Sequence, residues 1–361
     1  MPRPFHFADP KRGKALSDAI ALLAPPDPLK IVHVCGTHEM AITQNGLRRF
    51  LPDTVDVLEG PGCPVCVTPT ADIDTAIGMA RAGAVVCTFG DMLRVPGSHL
   101  SLDGARSEGA HVHTVLSAAD AVNVARTTDR PVVFFAVGFE TTAPMTAAVL
   151  LDSPPDNLYV LASHKTIPQA MVALLELPGS RIGGYLAPGH VSTIIGLPPY
   201  ETALADRGVP TVVGGFEPLD ILYAVALLLR QRRDGVAKVE NAYPRAVDPN
   251  GSPVARALIE QVFESADASW RGIGVIPGSG LRLRRTFQRF DARKRFPVEI
   301  DEPVDAVPGC RCPDVLTARA VPSDCPLFAT RCTPLSPVGP CMVGSEGACH
   351  IWFRYGGERS L

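Results

Sequence analysis

The chain has 361 residues, of which 46% are hydrophobic and 20% are charged. This composition excludes an intrinsically disordered protein, and the length predicts two or three globular domains. The formal net charge of −3 excludes a global attraction to nucleic acid or to an anionic membrane surface.

The beginning of the chain lacks a clean apolar segment because Asp18 interrupts it, so we expect no signal peptide. The longest apolar run, ILYAVALLL, is too short to cross a bilayer. Both observations favour a cytoplasmic protein. In that reducing compartment, clustered cysteines indicate metal or redox chemistry rather than structural disulfides.

Seven short runs rich in β-branched residues follow one another in the first two thirds of the chain. They are KIVHV, TVDVLE, GAVVCTF, RPVVFFAV, NLYVLAS, RIGGYLA and VPTVVGG. Apolar runs separated by helical stretches, here residues 71–84 and 219–233, predict parallel strands in an α/β fold. The similar sequences VGFE and GGFE suggest two related α/β units, at 30–127 and 128–240.

The remainder of the chain has a different composition. Residues 234–255 are loop-like, and residues 282–295 contain seven Lys or Arg against one Asp. We interpret this basic stretch as a solvated helical face, with the docking of a partner as the alternative. Proline, glycine and cysteine dominate residues 301–350, which predicts little regular structure and a need for metal or covalent cross-links.

Polar turns follow the predicted strands. They contain CGTHE, GPGCPVC, FGD, GFETTAP, SHK, APGH and GGFEP. Open α/β sheets bind ligands beyond the carboxyl ends of their strands, so these turns predict a polar site. Cys35, His38 and Glu39 lie on the first turn, and with Cys63 and Cys66 they make a donor set suited to iron or zinc.

The CPVC sequence at Cys63 and Cys66 has three interpretations. It is a dithiol–disulfide couple, half of a zinc site, or a structural disulfide. No second CxxC completes a zinc site. The couple is favoured because Gly62 and Pro64 restrict the turn and keep the two sulfurs within disulfide reach.

Cys87 lies alone in a strand-like run, and we interpret it as a buried core residue with no chemical role. Six further cysteines lie within the last 52 residues. The six are Cys310, Cys312, Cys325, Cys332, Cys341 and Cys349. They form no paired CxxC knuckles, which zinc ribbons favour. Irregular spacing with proline nearby favours an iron–sulfur cluster held by four thiolates over zinc or disulfides.

Seven longer motifs carry a resemblance to a known family. They are CGTHE, GPGCPVC, FAVGFETTAP, APGHVSTIIG, GGFEPLDIL, IPGSGL and CPLFATRCTPLSPVGPCMVGSEGAC. In this order they resemble the signatures of the hydrogenase maturation factor HypD family, from about residue 30 to about residue 355. One departure is MVGSEG, where the family pattern has MVSSEG, and a change from Ser to Gly there is mild.

The resemblance implies a redox-active assembly scaffold rather than a conventional turnover enzyme. Such a scaffold holds Fe(II) together with a HypC-like chaperone while the Fe(CN)2CO group of [NiFe]-hydrogenases is assembled, and a HypE-like partner supplies cyanide. The resemblance also implies two α/β domains and a third domain, residues 1–29 with 241–361, that carries a [4Fe-4S] cluster. The setting of that cluster is similar to the one in ferredoxin–thioredoxin reductase.

On these positions the resemblance implies roles for individual residues. Cys35 is the candidate thiolate for the iron, with His38 and Glu39 in support, and Cys63 and Cys66 are the candidate redox thiols. Further strand-end residues would line the cleft, namely Glu140, Thr141, Thr142, His190 and Glu217.

The cluster ligands are a separate choice. We expect Cys310, Cys325, Cys332 and Cys349 to hold the cluster, with Cys312 as a spare thiol and Cys341 as its redox mate. A second partition makes Cys341 a ligand and Cys349 the spare.

Two other functions compete with the scaffold. One is a stand-alone iron–sulfur thiol–disulfide oxidoreductase, and the other is a zinc hydrolase that uses Cys35, Cys63 and Cys66. No Walker-type or GxGxxG fingerprint indicates a nucleotide site.

Overall fold

The structure is a computed structural model, and it describes residues 9–305 and 307–356. Its strands are β1 (Leu29–His33), β2 (Val55–Glu59), β3 (Val85–Thr88), β4 (Val112–Thr114), β5 (Val132–Gly138), β6 (Leu158–His164), β7 (Ile182–Pro188), β8 (Thr211–Gly214), β9 (Val239–Asn241), β10 (Phe263–Trp270) and β11 (Gly274–Leu283). Its α-helices are α1 (Pro10–Leu23), α2 (Gly36–Gln44), α3 (Pro64–Val67), α4 (Thr70–Arg81), α5 (Leu102–Ser107), α6 (Ala118–Arg126), α7 (Ala143–Leu151), α8 (Ile167–Glu176), α9 (Gly189–Ile195), α10 (Pro198–Leu204), α11 (Pro218–Arg233), α12 (Pro253–Val262), α13 (Ala292–Arg295), α14 (Cys312–Leu316) and α15 (Ala348–Tyr355). Short 3-10 helices span Leu47–Phe50, Gly90–Met92, Arg285–Phe290, Pro322–Asp324 and Pro340–Met342.

Two parallel sheets organise the chain. The first has the strand order β2-β1-β7-β8-β9, and the second has the order β4-β3-β5-β6. All neighbouring strands within both sheets are parallel. Each of the seven predicted runs forms a strand of one of these sheets, so the prediction of an α/β fold with two Rossmann-like units is confirmed.

The burial of the central strand β5 explains why a continuous apolar run predicts a parallel strand. All seven of its residues are buried. Val132 and Phe134 pack into one core, with residues of α6 and α7, while Val133 and Phe135 pack into another, with residues of α4. A strand covered on both faces needs apolar residues at every position rather than at alternate ones.

The strands are shared between the sheets differently from the predicted ranges 30–127 and 128–240. The first sheet takes β1 and β2 from the beginning of the chain and β7 to β9 from beyond residue 180, and the second takes β3 to β6. The predicted boundary near residue 128 lies between β4 and β5, which both pair with β3. The reason is that the chain leaves the first sheet after β2 and returns to pair β7 beside β1.

Helix α1 packs against α11 on the first sheet, although its residues were assigned by the resemblance to the third domain. Ile20 is fully buried, and it shares a core with Ile221 and Val225 of α11. Helix α11 begins with a proline in its first turn and a capping box between Glu217 and Asp220.

Of the helical face predicted over residues 282–295, residues 282 and 283 instead belong to a strand, whereas two short helical segments follow. Strands β10 and β11 form an antiparallel hairpin that runs to Leu283, and a 3-10 helix and the short helix α13 follow it. Leu281 and Leu283 pack into the core of the second sheet, whereas Arg282 between them is ion-paired at the surface with Glu264. This alternation has the period of a strand rather than of a helix.

The cysteine-rich segment contains little regular structure up to residue 347, as predicted, and α15 follows it. Among the helices of residues 9–305 and 307–356, none combines the length and the apolar character of a membrane span.

Candidate functional site

Cys35 lies where the first sheet meets helix α2. It follows β1 by two residues and is the N-cap of α2, with an extended backbone (φ −159°) and a carbonyl oxygen that accepts a hydrogen bond from the Glu39 N–H at 3.2 Å. This is the carboxyl end of a parallel strand, where ligand sites of α/β folds form. Its side chain, 8% exposed, lines a cleft of about 420 Å³.

Two glycines bring other segments against Cys35. A side chain on Gly62 would overlap the backbone of Val34 and Cys35, and one on Gly36 would overlap the backbone and the Cβ atom of Glu346. Only glycine permits such a close approach. The glycines therefore place the CPVC loop on one side of Cys35 and the C-terminal segment on the other.

The polar lining of the cleft comes from six side chains, those of Cys35, Thr37, Thr141, His190, Thr193 and Glu346. Of the predicted cleft residues, Thr141 and His190 are therefore brought together with Cys35. Glu346 was not predicted as a site residue, and its carboxylate accepts a hydrogen bond from the Thr37 hydroxyl at 3.1 Å. Glu346 could have been found from the sequence because it belongs to the MVGSEG motif.

Burial raises the pKa of the Cys35 thiol to about 11, and the neighbouring Glu346 carboxylate adds to the rise. Hydrogen bonds from the backbone of His38 and Thr37 act in the opposite direction. The free thiol is therefore protonated at neutral pH, and a bound cation would favour its ionisation.

His38 lies beside this cleft but outside its lining. Its ring is fully buried, and its Nε2 atom lies 3.0 Å from the Gly215 carbonyl oxygen, to which it donates a hydrogen bond. Burial lowers the pKa of His38 to about 3, with His33 contributing further, so the ring is neutral. The Phe216 ring packs against His38 at 4.8 Å and against His190 at 3.9 Å. His38 therefore supports the cleft through Phe216.

Glu39 lies at the centre of a buried polar network. Arg48 donates to both carboxylate oxygens, at 2.9 and 2.7 Å, and His33 Nε2 lies 2.8 Å from Oε2. The Thr43 hydroxyl and the Trp352 indole N–H donate to Oε1 at 2.6 and 2.7 Å. Although burial opposes ionisation, Arg48 and His33 hold the Glu39 pKa well below its usual range. Glu39 therefore fixes α2 in place and does not line the cleft.

Three other predicted cleft residues also lie outside the lining. Glu140 is buried and accepts a hydrogen bond from the Ile167 N–H at 2.9 Å. The Thr142 hydroxyl donates to the Phe139 carbonyl oxygen at 3.1 Å. Glu217 caps α11. The cleft is thus built from fewer strand-end side chains than the motifs suggested.

The CPVC motif forms the one-turn helix α3. Cys63 is its N-cap and Pro64 its first residue, and the Cys66 N–H donates to the Cys63 sulfur at 3.2 Å. The two cysteines pair as a disulfide, with their Cα atoms 5.3 Å apart. Helix α3 contacts the Pro340–Met342 turn, which carries Cys341.

Cys312 and Cys341 pair as a second disulfide, with Cα atoms 6.4 Å apart. This is the pairing suggested for the spare cysteine and its redox mate. The pair lines a small enclosed cavity together with four unpaired cysteines, which are Cys310, Cys325, Cys332 and Cys349. These four are the predicted cluster ligands.

The four thiols lie close enough to influence one another. Burial raises the pKa of Cys349 well above its usual value, and the thiolate forms of the other three raise it further. The Val338 N–H donates to the Cys332 sulfur at 3.3 Å. Four thiolates with hydrogen-bonded sulfurs are the donor set of an iron–sulfur cluster, so the residues fit the [4Fe-4S] cluster that the resemblance implies.

Across residues 9–305 and 307–356, no three Cys, His, Asp or Glu side chains are arranged to hold a single metal ion. A [4Fe-4S] cluster needs a different arrangement, because each of its four thiolates binds a different iron. Four sulfurs placed around one cavity have that arrangement.

Comparison with known proteins agrees with the motifs. The HypD family model, described as the hydrogenase formation hypA family, matches residues 12–356. A protein of Methanocaldococcus jannaschii is 46% identical over 347 residues, which cover 95% of this chain and 96% of that protein. The hydrogenase maturation factor HypD of Azotobacter vinelandii is 43% identical over 366 residues, 98% of this chain and 96% of the relative. That of Escherichia coli K12 is 44% identical over 339 residues, 92% and 91%. The chain therefore belongs to the HypD family.

Proposed function

We propose that this protein acts in hydrogenase maturation, as a scaffold that holds iron with a HypC-like chaperone while the Fe(CN)2CO group of a [NiFe]-hydrogenase is assembled. In this proposal the iron is cargo, and a HypE-like partner delivers cyanide. Relatives named as hydrogenase maturation factors match the chain over 98% and 92% of its length, which supports this role.

The setting of Cys35 is the observation that carries the proposal. Its thiol lines the same cleft as His190 and Glu346, and because no three such side chains converge on one ion in the described residues, Cys35 would anchor iron together with donors from a partner. His190 is exposed, so the cleft is open on that side to a partner that adds further ligands. Because burial raises the pKa of the Cys35 thiol to about 11, iron binding would release its proton.

We infer that the two disulfides support this chemistry as redox couples. Reduction of either pair consumes two electrons and two protons and yields two thiols. A [4Fe-4S] cluster on Cys310, Cys325, Cys332 and Cys349 would, when bound, supply electrons singly beside the Cys312–Cys341 pair. In this proposal the Cys63–Cys66 pair would be the next acceptor toward Cys35, and the contact of α3 with the Pro340–Met342 turn supports that order.

We assign this activity to the cytoplasm, because the reductants of that compartment would return both disulfides to thiols. A stand-alone thiol–disulfide oxidoreductase would use the same cluster and pairs. It would need neither iron on Cys35 nor a small partner, and this difference separates the two functions by experiment.

Infrared spectroscopy of the anaerobically purified protein, co-expressed with its HypC-like partner, tests the proposal. We expect absorption bands of iron-bound cyanide and carbon monoxide in the wild type. Cys35→Ala should lose these bands and hydrogenase maturation while keeping the fold and the C-terminal cluster.

Cys87→Ala is the matched control, because Cys87 is buried in β3 and outside the cleft. It should retain both the bands and maturation. Wild-type bands in Cys35→Ala would remove Cys35 from the iron site. Their absence from the wild-type complex, together with disulfide reductase activity without any partner, would favour the oxidoreductase.

A further inference from the structure

A second cavity, of about 670 Å³, lies at the carboxyl end of β6. One wall is the SHK turn, from Ser163 to Lys165, and the opposite wall is the hairpin β10–β11. The isolated bridge between Lys165 and Gly280 joins the two walls. Its volume lies within the range of small-molecule sites, and its position is where open α/β sheets bind ligands.

Lys165 is the unusual residue of this cavity. It is only 3% exposed, and its Nζ atom lies 5.9 Å from the centre of the Trp270 ring. Its ammonium group makes no hydrogen bond or ion pair within the described residues 9–305 and 307–356, although the Asp72 and Asp305 carboxylates are near enough to raise its pKa. Lysine is almost never fully buried without a partner, because removing its charge from water is costly.

The other charged side chains of the cavity have partners within the protein. Asp72 accepts hydrogen bonds from the Ser163 hydroxyl and from Arg293, each at 2.5 Å. Asp267 accepts one from the Gly278 N–H at 2.9 Å. Arg282, at the rim, is paired with Glu264 at 2.7 Å. Among these charged side chains of the cavity, Lys165 therefore has no partner in the described part of the chain.

Burial lowers the pKa of Lys165, whereas Asp72 raises it and Arg293 lowers it. An anion placed against the ammonium group would offset the cost of burial and keep the group protonated. Lys165 is therefore a candidate contact for an anion in this cavity.

We propose that this cavity binds a small organic carboxylate whose carboxyl group accepts hydrogen bonds from Lys165. A monoanion fits better than a phosphate dianion because Asp72, Asp267 and Asp291 also line the cavity and would repel a second charge. Ala266, Ala268 and Gly280 on the hairpin side leave space for a short aliphatic body.

This site is separate from the Cys35 cleft. No described residue lines both cavities. Phe139, which lines the cleft, stacks on the buried Trp270 with ring centres 5.9 Å apart, and Trp270 in turn lies beneath Lys165. The inference therefore goes beyond the proposed maturation role and does not depend on it.

Saturation-transfer NMR with the full-length, cluster-loaded protein tests the proposal, using acetate and glycolate as probes and inorganic phosphate as a competitor. We expect saturable signals from both carboxylates, mutual competition between them, and phosphate competition at least about tenfold weaker. Lys165→Met replaces the ammonium by an apolar group of similar length and should weaken binding at least about tenfold.

Lys238→Met is the matched control, because Lys238 directly precedes β9 of the first sheet, outside this cavity's lining, and is exposed. It should bind the probes like the wild type. Carboxylate binding that Lys165→Met leaves unchanged, no saturable binding to the wild type, or phosphate competing as well as glycolate would each overturn the proposal.

Should Lys165→Met not fold, a second measurement on the wild type replaces it. The rate at which an amine-reactive ester modifies Lys165 is followed by mass spectrometry of its peptide. Glycolate should slow this modification and leave that of Lys238 unchanged. Equal modification of Lys165 with and without glycolate would contradict the proposed contact.

Discussion

The Trp352 indole N–H donates a hydrogen bond of 2.7 Å to the carboxylate of Glu39, and both side chains are buried. Trp352 belongs to α15, which also carries Cys349, and Glu39 belongs to α2, which begins beside Cys35. One hydrogen bond therefore joins the helix of the candidate cluster to the helix of the candidate iron cleft. The same indole lies 5.4 Å from the Arg48 guanidinium.

Trp352→Phe keeps an aromatic ring but removes the indole donor. We expect the free energy of unfolding to fall by about 2 kcal/mol, since a hydrogen bond to a buried charge is lost. Urea unfolding followed by circular dichroism measures this change. Phe353→Leu is the control at an exposed neighbouring position, and a Trp352→Phe midpoint equal to that of Phe353→Leu would show that the bond contributes nothing.

Gly62→Ala tests whether close backbone approach positions Cys35. The added methyl group would overlap the backbone of Val34 and Cys35, so the CPVC loop must move away. We expect loss of hydrogenase maturation together with a destabilisation of about 2 kcal/mol from the forced shift. In Gly13→Ala the new Cβ meets only a Leu219 methyl at 3.7 Å, so that variant should be neutral or slightly more stable. Normal maturation by Gly62→Ala would mean that the loop adapts.

The parts of the fold that follow from local sequence were predictable. The uninterrupted apolar run of β5 reflects burial on both faces, and Cys35 lies two residues after β1. Sheet membership was not predictable in this way. Whether β7 pairs with β1 or with β6 depends on the path of the chain between sheets, and no residue in either strand encodes it locally.

The site shows the same division between local and distant information. Cys35, Cys63 and Cys66 were identified from the spacing of their motifs. The Thr37–Glu346 contact spans 309 positions in the sequence, and α15 must dock before it forms. Glu39 resembled a metal ligand because its partners Arg48 and Trp352 become neighbours only in the folded chain.

Glu140→Gln should change how stability depends on pH. Burial raises the pKa of Glu140 to about 7 from 4.5, and its Oε2 atom has no hydrogen-bond partner among the described residues. The native state therefore retains this proton at pH values where the unfolded chain has released it. Stability falls as pH rises from 4.5 to about 7, by up to about 3 kcal/mol.

Glutamine carries no charge, so the variant should gain stability relative to the wild type over that window. The difference in unfolding free energy should grow between about pH 5 and about pH 8. Urea unfolding at several pH values measures it. Glu201→Gln, at an exposed position, should give a flat difference, and a flat difference for Glu140→Gln as well would show that its carboxyl titrates normally.

Cys332→Ala should remove one of the four thiols of the proposed cluster site. We expect loss of iron and sulfide and of the broad absorption near roughly 400 nm that thiolate-bound clusters show. A chelator should produce the same loss in the wild type and lower its melting temperature, because residues 301–350 have little regular structure of their own. Cys87→Ala should keep the full iron content, and full iron in Cys332→Ala would exclude this ligand.

The CPVC motif should act as a redox couple. We expect Cys63 and Cys66 to change between disulfide and dithiol under mild redox conditions. Helix α3 brings the two cysteines within disulfide geometry, with Cα atoms 5.3 Å apart. After reduction, the Cys66 N–H that donates to the Cys63 sulfur would favour the Cys63 thiolate.

Both cysteines are buried, so their redox state must be fixed before they are labelled. Samples are oxidised or reduced, quenched in acid, denatured and then alkylated, and the peptide is mapped by mass spectrometry. The oxidised wild type should carry no label on this peptide, and the reduced protein should carry two. In Cys63→Ser and Cys66→Ser the remaining cysteine should always be labelled and maturation lost, whereas Cys87→Ser should behave like the wild type. If Cys63 and Cys66 remain alkylatable after mild oxidation, or if metal analysis of the native protein finds zinc that both cysteine variants lose, the motif binds a metal and is not a redox couple.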